Sequence, residues 1–287
     1  MVSLTVTNGG ISFGVERPAG EHILRDGSHD QIVDALERNW RASVGAFGLA
    51  PSTTVHDGDE LFWFVTGVQD GALNSIMYAN LASHRVDAAV AERARLREVY
   101  DVPMNWLVGP TSRPHDLGER LLVRGLRYLA DLTPMTISLD TLPESGPRPV
   151  PGLTIERVDD LTTLETWIDA ERRGFELDGA LADGFAALRR GMGVRHDLPL
   201  YHLLGRLDGT AVGTSSFLLA GGIIGIHDVS TVPEARRRGV GMAMTLAALR
   251  AGQALGYEIA FLNPSPMGKP LYRRIGFEER CVCRVYG

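Results

Sequence analysis

Leu142-Pro143-Glu144-Ser145-Gly146-Pro147-Arg148-Pro149-Val150-Pro151-Gly152 holds four prolines and two glycines. Proline has no backbone N–H and a fixed φ, so neither a helix interior nor a central strand can run through this stretch. It divides the 287-residue chain into residues 1–142 and 153–287, with 143–152 as a linker. Each part is long enough to bury its own core. A chain that is 44% hydrophobic and 22% charged is ordinary globular material. The net charge of −6 and a pI near 5.8 argue against a nucleic-acid partner and favour cationic substrates. Cys281 and Cys283 are too few for a disulfide framework and complete no zinc site, so no metal is expected. The start, Met1-Val2-Ser3-Leu4-Thr5-Val6, has no basic segment leading into a long apolar run, and no apolar stretch reaches about 18 residues. The expectation is a soluble cytoplasmic protein without a membrane segment.

After the linker, Leu153–Val158 alternates as a strand. Asp160 is placed to cap a helix over Leu161–Arg173, whose apolar face is Leu161, Leu164, Trp167 and Ile168. A glycine-bearing loop leads to a helix over Ala180–Arg190. Strands are expected at Tyr201–Leu207, Ala211–Leu219 and Ile223–Val232, joined at Asp208-Gly209 and Gly221-Gly222. A helix over Gly239–Leu255, a strand over Tyr257–Leu262, a short helix over Pro270–Ile275 and a last strand over Glu279–Tyr286 complete this half. The order describes a mixed α/β (α+β) sheet flanked by helices. The first half also reads as mixed α/β. Helices are expected at Asp30–Trp40, Val86–Tyr100 and, interrupted by Gly125, Leu117–Leu129, with strands at Leu61–Val65, Ser75–Ala79, Asn105–Val108 and Met135–Asp140.

The strongest chemical signal is Val232-Pro233-Glu234-Ala235-Arg236-Arg237-Arg238-Gly239-Val240-Gly241. A strand ends, proline turns the chain, and glycines open a helix. First-turn N–H groups have no partner inside their helix, and glycine lets an anion approach them. Local physics alone leaves two readings, an anion site or a solvated arginine rim with Gly241 serving close packing. In the preceding strand, apolar residues alternate at Ile224 and Ile226 and resume at Val229, a parity slip that predicts a β-bulge.

Arg236-x-x-Gly239-x-Gly241 after Val-Pro-Glu resembles the pyrophosphate motif of the GNAT acetyltransferase superfamily. Leu271-Tyr272-x-x-x-Gly276-Phe277 is similar to the tail of GNAT domains, and the element order of residues 153–287 is the GNAT order. The resemblance implies that the backbone at Thr231–Val232 pairs with the pantetheine arm of acetyl-coenzyme A. It implies further that the residues from Arg236 through Arg237, Arg238, Gly239, Val240 and Gly241 to Met242 hold the pyrophosphate. Ser265 stands where many relatives have an asparagine that touches the cofactor. A bulge in strand four of GNAT domains splays two strands and opens a slot for the thioester.

Acetyl transfer needs a base for the ammonium, a donor for the oxyanion and an acid for the leaving thiolate. Tyr272 is the expected acid, by the family tyrosine's position near the sulfur. His227 is the expected base, with Asp228 as the other candidate if the bulge turns it inward. Gly174–Asp178 corresponds to the GNAT segment lining the acceptor site, so Phe175, Glu176 and Asp178 are candidates for gripping a cationic amine.

In the first half, Trp106 to Gly125-Leu126 repeats the order strand, loop, short helix, glycine, hydrophobe of Leu262–Phe277. It resembles a degenerate GNAT domain without the Arg-x-x-Gly-x-Gly turn, and no cofactor is expected there. It is left open whether this half walls the acceptor pocket or forms a homodimer contact. The expected activity is transfer of an acetyl group from acetyl-CoA to the amine of a small molecule, such as an amino-sugar or an amino-bearing antibiotic. A non-catalytic acyl-CoA sensor and an aminoacyl transferase are the alternatives.

Overall fold

The structure, a computed structural model, describes residues 3–8, 11–142 and 149–287. Met1, Val2 and residues 143–148 of the expected linker lie outside the described residues. A hairpin that the sequence reading missed opens the chain, β1 (Ser3–Asn8) against β2 (Ile11–Glu16), with Asn8 opposite Ile11. Next comes α1 (His29–Gly45), entered through a reciprocal cap. The Gln31 amide donates to Ser28 Oγ at 3.4 Å, and the Gln31 side chain accepts from the Ser28 amide at 2.8 Å. The first half continues with β3 (Thr54–Asp57), β4 (Leu61–Val65), β5 (Asn74–Ala79), α2 (Val86–Tyr100), β6 (Asn105–Val108), α3 (Leu117–Val123), β7 (Tyr128–Leu132) and β8 (Met135–Ser138). The second half holds β9 (Leu153–Arg157), α4 (Leu161–Gly174), α5 (Gly179–Met192), β10 (Leu200–Leu207), β11 (Thr210–Ala220), β12 (Ile223–Thr231), α6 (Val240–Ala254), β13 (Ile259–Leu262), α7 (Lys269–Ile275), β14 (Glu278–Glu279) and β15 (Cys283–Tyr286). No described helix is long and apolar enough to cross a membrane.

Two expectations fail for identifiable reasons. The helix expected over Leu117–Leu129 stops at Val123, because Gly125 takes φ +87° and turns the chain into β7. The single strand expected over Glu279–Tyr286 is two strands in different sheets, separated at residues 280–282 with no proline or glycine to mark the break.

The chain forms two compact units, and they interleave in sequence instead of following residues 1–142 and 153–287. The larger takes Met1–Ser43, Met135–Asp178 and Gly193–Glu279, and the smaller takes Val44–Pro134, Gly179–Met192 and Arg280–Gly287. The larger unit's sheet runs β14-β8-β13-β12-β11-β10-β9. Strand alternation sends Ile224 and Ile226 of β12 into a core with Val240, Met244 and Leu249 of α6, while Ile223 joins Ile32 and Leu36 of α1 on the other face. The smaller unit's sheet runs β3-β4-β5-β6-β15-β7, over a core that includes Leu96, Trp106, Leu117, Leu121 and Tyr286.

The two sheets share a plan. In each, one parallel pair (β12–β13, β5–β6) is bridged by a helix (α6, α2). A short helix then ends at a glycine of positive φ, Gly276 after α7 and Gly125 after α3, and leads to an edge strand. In each, the strand between that edge and the parallel pair comes from the other half of the sequence. β8 lies between β13 and β14, with Met135, Thr136 and Ile137 buried; β15 lies between β6 and β7, with Cys283 and Tyr286 buried. Removing an internal strand strips two ladders of partners and opens the core beneath. Residues 1–142 and 153–287 produced separately are therefore expected to show no cooperative thermal transition by circular dichroism, and co-expression to restore one. A fragment 153–287 that melts cooperatively by itself would contradict this strand assignment.

Candidate active site

The site begins with a fault in β12. Ser216 of β11 pairs with His227 and Thr214 pairs with Ser230, so Asp228 and Val229 together oppose the single residue Ser215. Asp228 adopts φ +52°, and its carbonyl accepts from Thr214 Oγ at 2.7 Å. Thr214 also meets Ser230 hydroxyl to hydroxyl at 2.7 Å, with both residues buried. This is the bulge that the parity slip predicted. On its other side β12 pairs with β13 from Ile224↔Ala260 only as far as Ile226↔Leu262. β13 ends there while β12 runs on to Thr231, so the two strands part and leave a β12 edge facing a gap.

Beyond Thr231 the chain makes a one-turn 3-10 helix (Pro233–Ala235), and Arg237 and Gly239 take φ +61° and +89° before α6 starts at Val240. Among the described residues no side chain caps this helix. The amides of Val240, Gly241 and Met242 therefore have no carbonyl within the helix, and the helix dipole adds positive potential at that point. Gap and helix end open onto one cleft of about 1180 Å³. Val229, Ser230 and Thr231 form one wall, residues 265–268 with Leu271 and Tyr272 another, and Gly174-Phe175-Glu176 a third.

The cleft gathers Thr231, Arg236, Arg237, Gly239, Val240, Gly241, Met242 and Ser265 of the expected donor residues, Tyr272 of the expected catalytic residues, and Phe175 and Glu176 of the acceptor loop. Val232, Arg238, Asp178, His227 and Asp228 lie outside its wall. Val232 is buried in the core, and Arg238 is exposed. His227 shares the α1-facing side of the sheet with Gly225. A methyl built on Gly225 would meet His227 Nε2 at 2.7 Å and Asn39 Oδ1 of α1 at 2.2 Å, and the imidazole sits edge-on to Phe261 at 5.9 Å. The parity that sends Ile224 and Ile226 to α6 sends His227 the other way.

Tyr272 is buried on α7, edge-on to Phe277 at 5.9 Å, and burial pushes its phenol pKa up to about 12. The Ser265 hydroxyl accepts from the Gly268 amide at 3.1 Å and so helps shape the turn into α7. The ionisable side chains of the wall are Glu176, Arg236, Arg237, Tyr272 and Arg274. Sequence reasoning did not single out Gly174. A Cβ there would lie 2.2 Å from Ser230 Oγ, so only glycine lets the end of α4 close on the bulge.

Residues 220–280 match the family model described as an acetyltransferase (GNAT) domain. That stretch spans β12, the bulge, the turn, α6, β13 and α7. This stretch is thus similar to a GNAT acetyltransferase domain. No curated protein matches it. Among solved structures, a GCN5-related N-acetyltransferase from Kribbella flavida is 19% identical, with a TM-score of 0.64 over 87% of this chain and 95% of that one. A GCN5-related N-acetyltransferase from Sphaerobacter thermophilus is 16% identical, with a TM-score of 0.56 over 91% and 93%. A tandem GNAT protein from the clavulanic acid biosynthesis pathway is also 16% identical, with a TM-score of 0.56 over 90% and 93%. At these identities the likeness is one of fold, and it extends the GNAT plan over both units.

The GNAT-like smaller unit differs at the place that matters. The edge of β5 is occupied by the chain itself: Arg113 donates its amide to the Ala79 carbonyl at 2.8 Å, and the Leu81 amide donates to the Arg113 carbonyl at 3.1 Å, a parallel bridge between Asn80 and Arg113. The entrance to α2 has no glycine, and it carries Asp87 in its first turn, a negative charge where the turn before α6 has glycines.

Proposed function

We propose that the GNAT domain transfers an acetyl group from acetyl-CoA to the amine of a small molecule, in one cleft and without a covalent enzyme intermediate. One observation carries this reading: an unpaired β12 edge and an uncapped helix N-terminus open onto the same cleft as a buried, protonated tyrosine. The β12 backbone from Val229 to Thr231 can pair with the pantetheine amides. The amides of Arg237 to Met242, with the Arg237 side chain, can take the pyrophosphate. In the smaller unit, the occupied β5 edge supports confining the donor to the larger unit.

The donor supplies an activated thioester. The acceptor nitrogen attacks its carbonyl carbon, the new C–N bond forms, and the C–S bond breaks. Tyr272 donates its proton to the departing sulfur, the newly acylated nitrogen gives up its surplus proton to water in the cleft, and Tyr272 is reprotonated from solvent. Its raised pKa keeps it an acid at neutral pH. Among the described residues the wall offers no histidine or aspartate, and its one carboxylate there, Glu176, is ion-paired with Arg236 at 2.7 Å. We therefore assign removal of the ammonium proton to water in the cleft, and give His227 and Asp228 no proton-transfer step.

Thiol release from acetyl-CoA, measured with glucosamine, kanamycin and tyramine, tests the reading. Release that depends on at least one amine is expected, with the acetylated amine identified by mass spectrometry. Clear CoA binding with no release across the panel would reduce the protein to an acyl-CoA sensor. Preference for an aminoacyl over an acetyl donor would replace the acetyl assignment.

A further inference from the structure

We propose that Arg236, the arginine of the Arg-x-x-Gly-x-Gly turn, is a positioning residue that fastens the acceptor-side loop Gly174-Phe175-Glu176, and is not a ligand of the donor phosphates. The inference rests on the reading of the cleft as a donor and acceptor site.

The guanidinium reaches back across the mouth of the cleft. Nη2 donates to the Gly174 carbonyl at 3.0 Å and to a Glu176 carboxylate oxygen at 2.7 Å, and Nε donates to the Thr231 carbonyl at 3.2 Å. Three of its five N–H groups are thus committed to the protein. They tie the end of α4 to the last residue of β12. The Arg236 side chain is 27% exposed, whereas Arg237 and Arg238 are exposed, Arg237 on the cleft wall and Arg238 off it.

The loop needs such a tie. Gly174 closes on Ser230, and Glu176 sits at φ +54°, a left-handed conformation that a non-glycine residue keeps only when its surroundings hold it there. A second tie runs in parallel from Arg173 to Glu234 at 2.8 Å. Both ties join the phosphate turn to the acceptor loop, so the turn that grips the donor also sets where the Phe175 wall stands. The Arg236 ion pair also neutralises Glu176. An incoming ammonium consequently meets a paired carboxylate and an aromatic face, which favours an acceptor with an apolar body beside its amine.

The test uses the full chain, with coenzyme A and chymotrypsin as probes. Cleavage after Phe175, followed by mass spectrometry, reports loop opening, and calorimetric titration reports donor affinity. Arg236→Gln and Glu176→Gln are each expected to speed cleavage at Phe175 about fivefold, with the double variant no faster than the faster single. In both, the CoA Kd stays within about threefold of wild type, while Arg237→Gln weakens CoA binding and leaves cleavage unchanged. For the best amine of the panel, both loop variants raise the acceptor KM with the KM for acetyl-CoA little changed. Rescue by Arg236→Lys is partial, since an ammonium cannot reach both carbonyls and the carboxylate together. A tenfold or greater loss of CoA affinity in Arg236→Gln, with cleavage at the wild-type rate, would overturn the proposal. Wild-type protein that fails to bind CoA would sink the donor reading instead, and the cleavage arm would still decide the clamp.

Discussion

Replacing Tyr272 by phenylalanine is expected to lower kcat for the proposed amine acetylation by about a hundredfold while CoA affinity stays within about twofold. The substitution removes one oxygen from a buried ring that packs edge-on to Phe277 and leaves the ring itself in place, so the cleft keeps its shape. Only the proton for the leaving sulfur is lost. The pH dependence carries the same signature. With its pKa raised to about 12 by burial, Tyr272 stays protonated at neutral and mildly alkaline pH and puts no limb on the rate profile there. With no histidine or aspartate among the described residues of the wall, and water proposed as the proton acceptor, kcat/KM is expected to rise about tenfold per pH unit until the pKa of the acceptor amine itself is reached. The stability sign follows from the same shift. The folded-state pKa lies above the ordinary phenol value of 10, so the contribution is complete below pH 10 and is lost as pH rises towards 12, on the order of 2–3 kcal/mol. Tyr272→Phe loses that alkaline component of unfolding. A variant with wild-type kcat would remove the tyrosine from the chemistry, and a second limb near neutral pH would restore a side-chain base.

The second large effect is expected at Gly241. A Cβ there meets Leu271 Cδ2 at 3.4 Å and Thr231 Oγ at 3.5 Å, ordinary contacts, so the fold has room for a side chain. A carboxylate in the first turn of α6 also suits the helix dipole. Gly241→Glu should accordingly keep its Tm within a few degrees of wild type. The same carboxylate would stand among the amides proposed to take the pyrophosphate, where a second anion is repelled and the N–H groups are already used. CoA affinity should fall by at least about a hundredfold. Calorimetry with CoA, alongside a thermal melt, separates the two effects. Retained affinity would move the donor away from this turn.

These effects centre on features that were readable in the chain, and the reason is their range. The Arg-x-x-Gly-x-Gly turn, the parity slip at Ile226–Val229 and the Leu-Tyr-x-x-x-Gly-Phe tail are each set by residues within about ten positions of one another. Helix entry, bulge and helix exit are local problems of φ, N–H partners and side-chain period. The glycine that ends α7 has its counterpart in Gly125 after α3, which is why the repeat in the first half was visible without the turn. The expected base, His227, lies off the cleft, and a signal for that was in the sequence: its parity with Gly225 and Ile223 assigns it to the α1 face.

The GNAT plan of the second half, the bulge and the glycine-bearing turn into α6 were set by the order of residues alone. Tertiary structure alone decided which sheet each short strand joins. The alternation in Met135–Ser138 and Cys283–Tyr286 says that these are strands, and it says nothing about partners. The partner is chosen by whichever edge and core remain incomplete after the rest has packed, and for both strands that edge belongs to the other half of the chain. The same holds for Arg236. Its place beside two glycines marks it as part of the turn, but three acceptors from Gly174, Glu176 and Thr231 converge on it only after α4 has closed on the bulge.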